Sequence, residues 1–159
     1  MNAKEIKSWY NNLARWYDPL LNLIRYRKTI QEIIRRIPIH IPQNGKILDL
    51  GCGTGLATEV LQERFPNATI TGLDYSEAML DIYRKRFPKN MTIVGDFNNG
   101  KDFYSYPENE KIKLSSNSYD LIISTGALSV YGNLNKAIPF VYGLLKDNGI
   151  FINSGVKNN

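Results

Sequence analysis

The sequence has little that would support metal or redox chemistry: one cysteine, Cys52, and one histidine, His40, in 159 residues. A lone thiol forms no intramolecular disulfide, and with a single imidazole it cannot assemble a Cys/His metal cluster. Long hydrophobic runs are missing as well. No apolar stretch approaches the roughly 18 residues of a membrane span, and the N-terminal MNAKEIKSWYNN has no signal-peptide core. These absences predict a cytoplasmic protein without a metal site. With 43% hydrophobic residues the chain suits one globular domain with a sizeable core.

Charge is unevenly spread. Residues 1–46 carry nine Lys/Arg against three Asp/Glu, and the remainder eleven against twelve. The basic arm suits an anionic substrate, a membrane surface or nucleic acid, although a solvated helix face accounts for it more simply. Within it Leu20, Leu23, Tyr26, Ile30, Ile33, Ile34 and Ile37 recur at three- and four-residue spacing, with Arg25, Lys28, Arg35 and Arg36 on another face. The pattern predicts an amphipathic basic helix whose stripe packs on the rest of the chain; peripheral membrane contact is the second reading.

From residue 46 the pattern alternates. Strands are predicted at Lys46–Leu50, Ala68–Leu73, Met91–Gly95, Tyr119–Thr125 and Ile150–Asn153. Helices are predicted at Leu56–Phe65, after an N-cap at Ser76, and at Leu134–Lys146, followed by a turn at Asp147-Asn148-Gly149. Pro139 predicts a late start or a kink in the last helix. Residues 98–117 interrupt the rhythm and read as a long surface loop, with a short helix or hairpin as the alternative. Buried strands alternating with helices give an α/β, doubly wound, mostly parallel Rossmann-like sheet of about five strands, preceded by a helical lid or arm over residues 1–45; the core is 46–159.

The stretch ILDLGCGTG places Gly51, Gly53 and Gly55 between a strand and a helix, where bare backbone can approach a ligand beside a helix N-terminus. A dinucleotide site wants G-x-G-x-x-G, but Leu56 stands where the last glycine belongs, which argues against a nicotinamide-dependent oxidoreductase. Asp49, two residues before the first glycine, would repel a pyrophosphate and suits an ammonium or sulfonium, which points to S-adenosylmethionine. Asp74, nineteen residues after Gly55, is placed to accept hydrogen bonds from ribose hydroxyls. Asp96 and the Phe97 backbone amide can meet an adenine amino group and ring nitrogen.

With these residues the sequence resembles the class I S-adenosylmethionine-dependent methyltransferases, from about Tyr10 to Ser154. ILDLGCGTG resembles their first motif, GLDYSEAML the acidic second-strand motif, VGDF the adenine motif, and YDLIISTGALSVYGNLNKAIPFVYGLLKDNGIFI the stretch across the fourth and fifth strands. YNNLARWYDPLLNLI is similar to the lid of the small-molecule branch containing ubiquinone/menaquinone-type C-methyltransferases and phospholipid N-methyltransferases. The resemblance implies S-adenosylmethionine as cofactor, with S-adenosylhomocysteine as product. It implies a cofactor site made of Tyr17, Asp49, Gly51, Cys52, Gly53, Gly55, Asp74, Tyr75, Met79, Asp96 and Phe97. Trp9, Tyr10 and Trp16 either line a substrate pocket or belong to the core.

The family sheet has seven strands, so the resemblance also implies a C-terminally abbreviated fold lacking the usual last two. The exposed fifth strand would then be covered by a second copy of the chain, a partner polypeptide or the N-terminal segment. The family pattern often has a histidine pair near Leu128-Ser129-Val130, and this sequence assigns no catalytic residue. STGA, residues 124–127, lacks the Asn/Asp-Pro-Pro-aromatic signature of many nucleic-acid and protein methyltransferases, which favours a small-molecule acceptor and no nucleic acid. The alternative function is a cofactor-binding subunit or regulatory module without catalysis of its own.

Overall fold

The computed structural model describes residues 3–23, 26–38, 40–98, 100–130 and 133–155. Two helices lead, α1 (Ala3–Leu23) and α2 (Tyr26–Arg35), followed by β1 (Lys46–Leu50), α3 (Leu56–Arg64), β2 (Thr69–Asp74), α4 (Glu77–Arg86) and β3 (Met91–Gly95). Then come β4 (Phe103–Ser105), β5 (Lys111–Ile112), β6 (Tyr119–Thr125), α5 (Ala127–Val130), α6 (Leu134–Leu144) and β7 (Leu145–Ser154). No helix of the described residues is long and apolar enough to cross a membrane.

All seven strands form one sheet in the order β5-β4-β3-β2-β1-β6-β7. The pairs linking β3, β2, β1, β6 and β7 are parallel. These are the five strands that the sequence predicts. The other two correct the count: within 98–117, β4 and β5 form a hairpin that pairs antiparallel to β3. Strands of three and two residues are too short to display alternation. Gly95 lets the hairpin dock, since a Cβ there would sit 2.4 Å from the Phe103 ring.

The last strand is also longer than predicted. α6 ends at Leu144 rather than Lys146, and β7 begins at once, so the predicted turn at 147–149 lies inside the strand's span. There the register slips: Tyr119 pairs with Leu145 and Leu121 with Ile150. Lys146 anchors the irregular stretch by donating to both Asp120 carboxylate oxygens, at 2.8 and 2.9 Å. α6 runs from Leu134 through Pro139 without a late start; the proline removes the bond its nitrogen would donate to the Asn135 carbonyl.

Alternation along the strands splits the core. Ile47, Ile70, Leu121 and Ile123 pack under α2 and α3, while Leu48, Leu50, Ile93 and Ile122 pack under α5 and α6. Each such side chain contributes about 1.5–3 kcal/mol by leaving water. The predicted basic helix takes in the end of α1 and all of α2; its Arg25 and the side chains of Leu20 and Leu23 lie outside the described residues. Its stripe packs as predicted, with Ile30, Ile34 and Ile37 buried. The Arg64 guanidinium of α3 caps α2 by donating to the carbonyls of Ile34 and Ile37. On the polar face Arg27 pairs with Glu59 and Glu63, and Arg35 and Arg36 with Glu32.

Candidate functional site

The glycine loop joins the C-terminal end of β1 to α3. Its first turn is held by the neighbouring strand, where the Leu73 carbonyl accepts from the amides of Gly51 at 2.7 Å and Cys52 at 3.1 Å. Gly51, Gly53 and Gly55 have φ of 77°, 52° and 93°, left-handed values that favour glycine. At Gly55 space is decisive as well, because a Cβ would lie 2.3 Å from Phe87 Cε2. The loop is thus pressed against the end of α4.

Two buried carboxylates flank it. Asp49 is fully buried at the end of β1; Oδ2 accepts from Thr58 Oγ1 at 2.7 Å, and Oδ1 has no partner among the described residues. Thr58 Oγ1 is 3.1 Å from the Tyr83 hydroxyl, which accepts from Asn90 Nδ2 at 3.3 Å. Since the Thr58 proton goes to Asp49, Tyr83 is the donor to Thr58, and the chain Asn90–Tyr83–Thr58–Asp49 runs in one direction. Burial raises the Asp49 carboxyl to about 7, against the Thr58 hydrogen bond and aided by the Asp74 charge.

Asp74 closes β2. One oxygen accepts from the Gly53 amide and the other from the Ser76 amide, both at 2.8 Å, so it fixes the loop and the start of α4 together. Burial raises its carboxyl too, against these backbone bonds. Ser76 caps α4 as predicted, accepting from the Met79 amide at 3.2 Å.

Helix α1 lies across this surface. Gly53's Cβ direction meets Tyr17 Cε1 at 3.8 Å. Asp18 accepts from Thr54 Oγ1 and, at 3.2 Å, from Arg86, which also donates to the Thr54 carbonyl at 2.9 Å and to Glu59 at 3.0 Å. Farther along, Asn11 accepts from Ser76 Oγ at 2.6 Å, and Lys7 pairs with Glu77 at 3.0 Å, its ammonium 5.2 Å from the Tyr75 ring centre. Tyr10 and Tyr17 meet edge to face at 6.1 Å, whereas Trp9 and Trp16 are exposed. From α2, Tyr26 reaches Thr125 at the end of β6. Tyr17, Tyr26, the loop and Thr125 enclose a cavity of only about 20 Å³, room for about one water.

The structure therefore brings together Tyr17, Asp49, the three glycines and Asp74. The Cys52 side chain turns away, packing with Leu80, Tyr83 and Phe87, and burial pushes its thiol well up. Met79 is buried in the first turn of α4. Asp96, at the end of β3, is held by the backbone amide and Nδ2 of Asn98, both at 2.9 Å. The Phe97 ring belongs to the core beside Leu73 and Leu128, so that only its main chain can face a ligand. Sequence reasoning missed Thr58, Tyr83, Arg86, Asn11 and Tyr26. Thr58 had a signal, as a hydroxyl on the apolar face of LATEVL; the others meet the site only through folding.

Comparison with known proteins identifies the family of the chain. A family profile described as "Methyltransferase domain" matches residues 48–151. The chain is 28% identical over 161 residues to the malonyl-[acyl-carrier protein] O-methyltransferase of Priestia megaterium, covering 99% of this chain and 53% of that protein. It is 32% identical over 120 residues to the trans-aconitate 2-methyltransferase of Variovorax paradoxus, covering 76% and 41%. The chain thus spans about half the length of the curated relatives it matches. A solved Methanococcus maripaludis protein, a candidate S-adenosyl-L-methionine-dependent methyltransferase, superposes with TM-score 0.69 at 24% identity, covering 94% of this chain and 63% of that one.

Proposed function

The chain belongs to the methyltransferase-domain family, of the class I S-adenosylmethionine-dependent type, and we propose that it transfers the methyl group of that cofactor to a small carboxylic acid. The observation that carries the cofactor reading is Asp49. A fully buried carboxylate with one unpartnered oxygen, beside a left-handed glycine loop, fits a cationic ligand. Membership supplies the cofactor's identity; the acceptor class rests on relatives named for a malonyl and a trans-aconitate acceptor.

When bound, the cofactor supplies an activated methyl on a sulfonium, so the protein needs mainly to align and exclude water. In this reading Asp49 complements the positive charge, Gly51, Gly53 and Gly55 allow close approach, and Asp74 accepts from the ribose hydroxyls. Tyr75 stacks on the adenine, with Met79 lining that side. Asp96 accepts from its amino group and the Phe97 amide donates to its ring. Tyr17 covers the methionine end. A cavity of about 20 Å³ is far smaller than the cofactor, so α1 acts as a lid that moves to admit it. Orientation for in-line displacement supplies roughly 7–11 kcal/mol of rate enhancement.

Mass-spectrometric detection of methyl transfer tests the reading, with trans-aconitate and malonyl thioesters as acceptors and phosphoethanolamine as control. Methylated acids and an unmodified amine support it; transfer to the amine alone overturns the acceptor class. As to partners, β7 pairs with β6 alone among the described residues, and α6 exposes Leu134, Ile138 and Tyr142 at four-residue spacing. We propose that a second copy covers this edge. Light scattering across a dilution series should find a wild-type dimer and a Phe151→Lys monomer; a wild-type monomer throughout overturns it.

A further inference from the structure

On the sheet face opposite α2 and α3, a groove of about 760 Å³ runs between α6 and the β4–β5 hairpin. Its origin is topological. A parallel connection is ordinarily a helix, but β3 reaches β6 through the hairpin and residues 113–118, so no helix of the described residues fills the space beside α6. The floor is continuous with the core: Phe103 and Leu144 are buried, Phe140 stacks on Phe103 at 5.4 Å between ring centres, and Ile112 and Leu114 extend it.

The two walls differ in character. The α6 wall is uncharged, made of Pro139, Phe140, Gly143 and Leu144, whereas the hairpin wall carries Lys101, Lys111 and Lys113. Asp102 pairs with Lys111 at 3.3 Å, and neither Lys101 nor Lys113 has an ion pair among the described residues. The hairpin's Glu108 and Glu110 do not line the groove. Its volume falls within the range of small-ligand sites.

We propose that this groove binds a fatty carboxylate, with the alkyl chain along the Phe103–Phe140 floor and the carboxylate at Lys101 and Lys113. An inorganic anion would make no use of the apolar wall, a neutral lipid would leave the lysines without a counter-charge, and a peptide would press unpaired backbone groups against the apolar side. The groove's lining shares no residue with the cofactor site, and the proposal does not rest on the methyltransferase reading.

The test is an NMR titration of the full chain with decanoate below its aggregation concentration, compared with decanol and inorganic phosphate. Saturable shifts at Phe103, Ile112, Leu114 and Phe140 are expected, with decanol binding at least tenfold more weakly and phosphate leaving these signals unmoved. Lys101→Glu/Lys113→Glu, checked for folding by circular dichroism, should weaken decanoate at least tenfold and leave decanol unchanged. Phe140→Ala should weaken both. Equal affinity for decanoate and decanol, an unaffected charge-reversal variant, the same shifts from phosphate alone, or unsaturable shifts scattered over the molecule would each overturn the proposal.

Discussion

Thr58 donates to Asp49 Oδ2 at 2.7 Å, which turns the buried, unpartnered Oδ1 into the free face of that carboxylate. Because burial raises Asp49 from 3.8 to about 7, the folded chain keeps a proton in that interval that the unfolded chain has lost. This group's contribution to stability is therefore full below pH about 4 and declines as pH rises to about 7. Asp74, also raised by burial, acts in the same sense. Asp49→Asn should remove Asp49's share: between pH 5 and 7.5 the variant gains on the order of 1–3 kcal/mol relative to wild type in urea unfolding. Cofactor binding has the opposite sign. An ammonium near Oδ1 favours the ionised carboxylate, so affinity should rise from pH 5.5 to 7.5 in wild type and stay flat in the variant. Parallel pH profiles for the two proteins would remove Asp49 from the account.

Tyr17 lies over Gly53, and Asp18, between Thr54 and Arg86, fastens α1 to the loop by a few polar contacts; the proposed lid would have to break them. Saturating S-adenosylmethionine should slow amide exchange around Trp16 and Tyr17, and Asp18→Ala should speed it in the free protein. If protection there ignores both the ligand and the substitution, α1 is packing rather than a lid.

What was legible in the sequence was what local chemistry decides. The strands at 46–50, 91–95 and 119–125 have the predicted bounds because apolar runs stop at glycine or polar residues, and Ser76 caps α4 by a bond within its own turn. The hairpin escaped because its strands are held by Gly95 and the β3 edge rather than by patterning. The early start of β7 escaped because Lys146 and Asp120, 26 residues apart, hold it. In the site, the glycine spacing and the two carboxylates were readable, whereas the Asn90–Tyr83–Thr58 support of Asp49 crosses two helices and a loop. The aromatic cluster divided, too. Residues seven apart share a face, so Tyr10 and Tyr17 turn inward together while Trp9 and Trp16 turn outward.

Gly55 offers a test of the loop's packing. Gly55→Ala adds a Cβ 2.3 Å from Phe87 Cε2 at a φ of 93°. Denaturant unfolding should show a loss of about 2–4 kcal/mol, combining overpacking with left-handed strain. Gly55→Ala/Phe87→Leu should recover part of it. A variant as stable as wild type would mean that the loop yields freely.

Calorimetric titration with S-adenosylmethionine, S-adenosylhomocysteine and NAD is the most direct measurement. Saturable binding of the first two is expected, with no binding of NAD and a loss of roughly 1–3 kcal/mol in Asp74→Ala, where a charge-assisted hydrogen bond disappears. Tight NAD binding, or wild-type affinity for S-adenosylmethionine in both Asp74→Ala and Gly53→Val, would contradict it.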